Sequence, residues 1–229
     1  MREEEAVNKQ LIILRGTAGE SYTDFSTRVI YTVRGCSEGA DICKVTLTCE
    51  PPPKGGVVPY AKSKIALVTL CGENGIEKPA ERLAECPGFT SAFRVETALP
   101  VEYARSWGDG EKTPGLGLLT LFRKREDIDY TDFIERWHNG HTPLSLEIHP
   151  LFNYVRNVVK ERIRGENEWY DAIVEEHCRT REDLLKSSRF FGGLFQAPRN
   201  MLRVYRDVKR FIDYPSIETY CVEEYWLKS

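Results

Sequence analysis

The chain lacks the features that would place it in several large classes. No apolar stretch approaches the ~20 residues of a membrane span. The N-terminal MREEEAVNKQ is acidic and polar, unlike a signal peptide. With a net charge of −3 and no basic stripe, there is no electrostatic reason to expect nucleic acid or an anionic membrane as a partner. Seven cysteines are present (Cys36, Cys43, Cys49, Cys71, Cys86, Cys178 and Cys221), but none has the C-x-x-C spacing of a redox or zinc site. Their mostly apolar surroundings read as buried thiols in a reducing cytoplasm rather than disulfides. There is no P-loop. Gly115-x-Gly117 lacks the third glycine of a dinucleotide fingerprint and precedes a strand, and Gly192-Gly193 is no nucleotide motif either. No serine or cysteine sits in a nucleophile elbow. What remains is a cytoplasmic globular protein with a small-molecule partner.

What is present is a phrase that occurs twice. Tyr22-Thr23-Asp24-Phe25-Ser26-Thr27-Arg28-Val29 returns as Tyr130-Thr131-Asp132-Phe133-Ile134-Glu135-Arg136-Trp137, 108 residues on. Each copy follows an apolar run that reaches an arginine seven residues before the tyrosine, Arg15 or Arg123. So long an offset excludes a solenoid, whose repeats run about 20–50 residues. It points to two copies of one small unit within 229 residues, residues 1–107 and 116–229. The glycine-rich stretch SWGDGEKTPG joins them.

Periodicity gives the same element order in both copies. In the first, strands are expected at 11–14, 41–49, 64–71 and 92–97. A helix opens at Ser21 with Phe25, Val29 and Val33 on one face and Gly35 as its stop, and a second covers 80–86. Pro51 to Gly56 must be a loop. In the second, strands are expected at 117–123, 152–159, 169–178 and 217–226, and helices at 130–139, 181–189 and 201–211. The last helix exceeds the minimal unit and serves as a cover for one end of a pocket. The order β-α-β-β-α-β is that of a ferredoxin-like unit. A four-stranded sheet with helices on one face must bury its other face. The expected fold is therefore α+β, with tandem ferredoxin-like repeats packed as an intrachain α+β barrel whose cavity takes a small apolar ligand. A homodimer is compatible with tyrosine-rich edges, although the duplication already supplies a covering sheet.

Phe133-x-x-x-Trp137-x-x-x-His141-x-Pro143-Leu144 resembles the first-helix signature of the EthD family, which belongs to the dimeric α+β barrel superfamily. Tyr170 to Glu176, Asp207-x-x-x-Phe211-Ile212-Asp213 and Val222-Glu223-Glu224 support the likeness over residues 116–229. The first half resembles the fold without the signature. The resemblance implies a pocket and usually no metal or organic cofactor. It leaves open dehydratases, cyclases, lactone isomerases, quinone-forming oxygenases and proteins without a defined reaction. His177 departs from the pattern, which has an aromatic residue there.

Trp137 and His141, at i and i+4, share a helix face, and His141 stands at the expected helix end, before Thr142-Pro143. An imidazole beside an apolar cavity suits general acid/base work because it titrates near neutrality. The competing reading is a structural histidine packed on Trp137. A metal reading of His138, His141 and His149 with Glu147 is weaker, because His138 turns about 100° away from His141's face. On the strand at 169–178, Asp171, Ile173, Glu175 and His177 share one face, and Ala172, Val174, Glu176 and Cys178 the other. If the first face lines the barrel, Glu175 orients His177 or His177 is the base; otherwise these are solvated charges. Tyr154 and Arg156 share a face opposite Asn153 and Asn157. An inward Tyr154 or Arg156 would hold a phenol or carbonyl oxygen. Tyr220, Tyr225 and Trp226 supply aromatic walls or plain sheet core.

Three readings follow. The first is a cofactor-independent enzyme that moves a proton beside a carbonyl of an aromatic or polyketide-like molecule, giving dehydration, cyclisation, isomerisation or C–C cleavage. His141 and then His177 are its catalytic candidates. Trp137, Tyr154, Arg156, Asn157, Glu175 and Tyr220 are its substrate contacts. The second is a cofactor-free monooxygenase or a haem protein. The third is a carrier of a hydrophobic intermediate.

Overall fold

The computed structural model describes residues 8–54, 58–73, 76–166 and 168–229. Strands β1 (Asn8–Arg15), β2 (Ile42–Leu47), β3 (Ile65–Gly72) and β4 (Phe89–Val101) carry helices α1 (Tyr22–Cys36) and α2 (Glu77–Ala84). Strands β5 (Leu116–Phe122), β6 (Leu151–Arg164), β7 (Ala172–Cys178) and β8 (Glu218–Lys228) form the second set. Its helices are α3 (Tyr130–Glu135), α4 (Thr142–Ile148), α5 (Arg181–Leu185), α6 (Ser187–Phe190) and α7 (Ala197–Val208). All eight strands close into one antiparallel barrel in the order β1-β3-β2-β8-β5-β7-β6-β4. The seams between the halves are β2–β8 and β4–β6. Each sheet thus covers the other's open face within one chain, as the duplication requires. The expected loop at Pro51–Gly56 is irregular through Lys54; Gly55 and Gly56, like the N-terminal seven residues, lie outside the described residues.

The repeated phrase starts both first helices for one local reason. Ser21 accepts a hydrogen bond from the Asp24 amide at 3.0 Å, and Asp129 one from the Asp132 amide at 2.7 Å. Each satisfies an orphan donor of the first turn, worth about 1 kcal/mol. Helix α1 then buries Phe25, Val29 and Val33 fully against the sheet, about 1.5–3 kcal/mol for each side chain. Gly35 does not stop it; the helix runs to Cys36 and Ser37 caps it through the Val33 carbonyl.

The second copy departs from the expected helix. It does not end near Asn139 but continues through a π-helical turn at Arg136–His141 into α4. Pro143 stands in the first turn of α4 and has no N–H to donate. A wider turn absorbs the defect, with the Thr142 amide bonded to the Trp137 carbonyl. Thr142 Oγ1 also donates to that carbonyl at 3.1 Å, and Arg156 Nη1 donates to Thr142 Oγ1 at 2.8 Å.

Strand alternation sorts the core into layers. Ile12, Leu14, Val45 and Val68 pack under α1 and α2, against Leu83 of α2. Phe122, Tyr154 and Val174 pack under the second set of helices, against Phe133, Trp137 and Phe211. Inside the barrel, Leu11, Ile13, Leu67, Phe93, Leu119, Leu121, Ile173 and Val222 form an apolar plug. All seven cysteines are free, three of them buried. Burial pushes the Cys178 and Cys221 thiols up to about 12, so both stay protonated. Among the described residues, no helix is long and apolar enough to cross a membrane.

Candidate functional site

The structure separates the candidate residues onto two faces of the second sheet. Trp137, His141 and Tyr154 line a cavity of about 230 Å³ between that sheet and its helices, outside the barrel. His177, Glu175, Asn157 and Tyr220 point into the barrel instead. The expectation of one site inside the barrel is thereby corrected. Residues 153 and 154, or 176 and 177, cannot share a face because successive side chains alternate.

The outer cavity has aromatic walls. Phe122 meets Trp137 edge-on at 5.4 Å between ring centres, and Phe190 and Phe191 close the far side. His141 Nδ1 lies 2.9 Å from Asp207 Oδ2, and its Nε2 lies 3.1 Å from Ser145 Oγ. A carboxylate only accepts, so in the neutral ring Nδ1 carries the proton and Nε2 accepts from Ser145. Asp207 comes from α7, which also supplies Val204 and Val208 to the wall. The extra helix therefore covers the pocket, as its position suggested. His141 does not stand at a helix end, because α4 continues past it.

Glu176 lines the same cavity. Burial, with no cation to offset it, pushes its carboxyl up to about 7. Tyr154 faces Glu176 directly across the β6–β7 ladder, and burial raises its phenol above the usual range. His149 stacks on Phe190 at 4.1 Å and donates from Nδ1 to the Phe190 carbonyl at 2.8 Å. Burial lowers it to about 4, which leaves a neutral ring with Nε2 as acceptor. The cavity thus combines a carboxylate-held imidazole, a carboxyl that titrates near neutrality, and apolar walls.

The remaining candidates have other partners. Arg156 is buried on the helix side, and its contact with Thr142 braces the π-helical turn rather than the cavity wall. Asn157 donates to the Ile173 carbonyl at 3.1 Å and accepts from Thr97 at 2.8 Å, across the β4–β6 seam. Glu175 does not orient His177: it accepts from Lys44 Nζ and Thr46 Oγ1, both at 2.7 Å. His177 donates from Nε2 to the Pro114 carbonyl at 3.1 Å, and burial lowers its pKa. Gly117 faces it in β5, where a Cβ would come within 3.1 Å of Nδ1. Tyr220 belongs to a polar cluster at one barrel end, where Arg15 Nη1 donates to its hydroxyl at 2.5 Å. Among the described residues no group of three His, Cys, Asp or Glu is placed to hold a metal ion.

Sequence reasoning missed Asp207 and Ser145 as partners of His141, and it chose the wrong member of the Glu175–Glu176 pair for the pocket. The spacing of Ser145, four residues after His141, was a usable signal.

No family model matches the chain, and no curated protein matches it in sequence. Neither comparison shows the EthD family. Solved structures do match. One is an anthrone oxidase-like protein, at TM-score 0.58 and 11% identity over 99% of this chain and 93% of that one. Another, from Fusobacterium nucleatum subsp. nucleatum, is titled a putative monooxygenase; it matches at TM-score 0.50 and 8% identity over 98% of this chain and 94% of that one. At these identities the likeness establishes the α+β barrel fold.

Proposed function

We propose that this chain is an enzyme that moves a proton beside a carbonyl of a small oxygenated aromatic molecule, without a cofactor. The observation that carries the reading is His141, held by Asp207 on the wall of an aromatic cavity that also contains Glu176. Asp207 fixes the tautomer, so Nε2 is the base, directly or through the Ser145 hydroxyl. Below about pH 7 Glu176 is protonated and donates to the substrate oxygen as negative charge develops there. A base and a protonated carboxyl on one cavity wall are what enolisation, dehydration or cyclisation requires. The cavity volume of about 230 Å³ fits a one- or two-ring molecule. It is small for a haem macrocycle, and both ring nitrogens of His141 already have partners. These facts support proton transfer over haem ligation.

A second reading starts from the same step. Removal of a proton from a phenolic ketone gives an electron-rich carbanion, and such a carbanion reacts directly with dioxygen. The names of the two similar structures, an oxidase-like protein and a putative monooxygenase, favour this outcome.

The test uses 2-tetralone in D2O, followed by NMR, with oxygen uptake measured in parallel. Exchange of the acidic C–H should be catalysed by the native protein and lost in His141→Ala. Exchange at the native rate in His141→Ala would overturn the assignment. Oxygen uptake that also depends on His141 would select the second reading. Tight binding with no exchange would select a carrier.

A further inference from the structure

The barrel holds a larger cavity, separate from the one just described. It measures about 1040 Å³ and lies at the barrel end opposite Arg15, where β1 and β2 start and β8 ends. The far end is closed by Arg15, bonded to Glu168 and Glu218 at 2.9 Å each and to Tyr220, and the apolar plug fills the middle.

The open end is built from groups that suit one kind of ligand. Tyr103, Trp107 and Trp226 form an aromatic wall, with the Tyr103 and Trp107 ring centres 5.0 Å apart. Arg105 lies over the Trp226 ring at 5.3 Å and gives the wall a cationic edge; its partner Asp109 is not among the lining residues, whereas Lys44, 5.8 Å from the same ring, is held by Glu175 and Glu224. Of the two carboxylates in the lining, Glu96 is paired with Lys160 at 2.7 Å and Glu102 is exposed. Two buried polar atoms of lining residues have no hydrogen-bond partner: Thr69 Oγ1 and Trp107 Nε1. Thr69 is only 3% exposed and stands opposite Lys44 in the β2–β3 ladder, so its side chain shares Lys44's inward face. Native structures rarely leave such groups unsatisfied, and their occurrence together in a cavity marks a place for a partner. An indole N–H can only donate, so the partner must accept.

We propose that the barrel interior is a second binding site, for a planar aromatic carboxylate. Its rings stack on Trp226, and its carboxylate accepts from Trp107 Nε1 and Thr69 Oγ1 near Arg105, whose Nε donates to the Trp107 carbonyl at 2.8 Å. The volume is of drug-pocket size, roughly 300–1,000 Å³. This site rests on different residues from the proton-transfer cavity and stands or falls independently of it.

Isothermal titration calorimetry with 2-naphthoate tests it, with 2-naphthylmethanol as the uncharged control. The native protein should bind 2-naphthoate, and the alcohol about tenfold or more weakly. Trp107→Phe keeps a ring and Thr69→Val keeps the shape; each should weaken binding by about tenfold while melting stays near native. Leu99→Trp narrows the cavity and should weaken binding, whereas His141→Ala should leave the affinity unchanged. No heat with 2-naphthoate would overturn the proposal. So would native affinity in both Trp107→Phe and Thr69→Val, or loss of binding in His141→Ala.

Discussion

The two halves share a fold and a capped first helix, yet the layer between sheet and helix differs in kind. In the first half, Val29 and Val33 stand at the positions that Trp137 and His141 occupy 108 residues later. Both valines are fully buried in an unbroken apolar layer with Val45, Val68 and Leu83. In the second, a π-helical turn, a proline and the added helix α7 replace that layer with an aromatic cavity holding His141 and Glu176. The lesson is that duplication lets one copy be kept for packing while its twin accepts buried polar groups that weaken a core. The first copy also supplies charge to the second: Lys44 from β2 is paired with Glu175 and Glu224 at 2.7 and 3.0 Å.

That cross-half contact predicts the largest effect on stability. Lys44→Met leaves two buried carboxylates facing one another without a cation, which costs about 3–5 kcal/mol. Glu224 shows what the lysine does. Burial opposes its charge, but Lys44, His177, Tyr103 and Thr113 hold its carboxyl down to about 2. A carboxyl with a depressed folded value gives stability that is present above its unfolded value, near pH 4.3. That stability is lost as pH falls towards about 2. Urea titrations between pH 7 and pH 3 should show this acid loss in the native protein and a much smaller one in Lys44→Met. An equal loss in both would mean that the halves are not joined by this charge.

Equivalent substitutions in the two copies sharpen the comparison. His141→Ala should lower exchange or turnover by about 10²–10⁴-fold and change melting little. Val33→Ala, its counterpart, should cost about 2–3 kcal/mol through lost methyl burial and the hole it leaves, with no effect on exchange at saturating substrate. Kinetics and thermal melting on the two variants check this directly. If the first-half variant also abolished exchange, the division of labour would be wrong.

Glu176 gives a smaller, pH-dependent effect. Its folded pKa of about 7 is raised above the ordinary glutamate value by burial. The folded state therefore binds the proton more tightly than the unfolded chain does. The associated stability is fully present below about pH 4.3 and is lost as pH rises through about 7. The full loss would be about 3 kcal/mol for a wholly buried carboxyl, and less here because Glu176 keeps some exposed surface in the cavity. Glu176→Gln should melt at nearly the same temperature at pH 5 and pH 8, while the native protein loses stability over that interval. It should also remove any limb near neutrality from the exchange–pH profile.

What was legible in the sequence follows the range of the interaction. The caps at Ser21 and Asp129 and the alternation along β6 and β7 depend on near neighbours, so element order and the closed α+β barrel could be read directly. The π-helical turn could not, because Pro143 alone reads as a stop, and the bracing of the wider turn by Thr142 and Arg156 comes partly from a distant strand. Asp207 is 66 residues from His141, and Lys44 is 131 from Glu175. No local pattern says which of Glu175 and Glu176 faces a cation and which faces a cavity, and that one-residue choice decides the site. The lysine was nonetheless a signal: in DICKVTLTC it falls on the face shared by Thr46 and Thr48, opposite Cys43, Val45 and Leu47.

Ser145 is the finest discriminator. Its hydroxyl, His141 and Asp207 lie in the order of a nucleophile, base and orienting acid, at 3.1 and 2.9 Å. Geometry of that kind admits two roles. If Ser145 only positions the imidazole, Ser145→Ala removes one hydrogen bond, worth about 0.5–1.5 kcal/mol, and exchange should fall by no more than about tenfold. If it attacks the substrate, turnover should fall as far as in His141→Ala, because members of such a unit fail together. The small effect is expected. Ser145 is 1% exposed inside helix α4 rather than on a strand-to-helix elbow that would present its hydroxyl to a carbonyl carbon. Exchange rates of Ser145→Ala and His141→Ala, measured side by side, decide whether the second half carries an acid/base pair or a nucleophile.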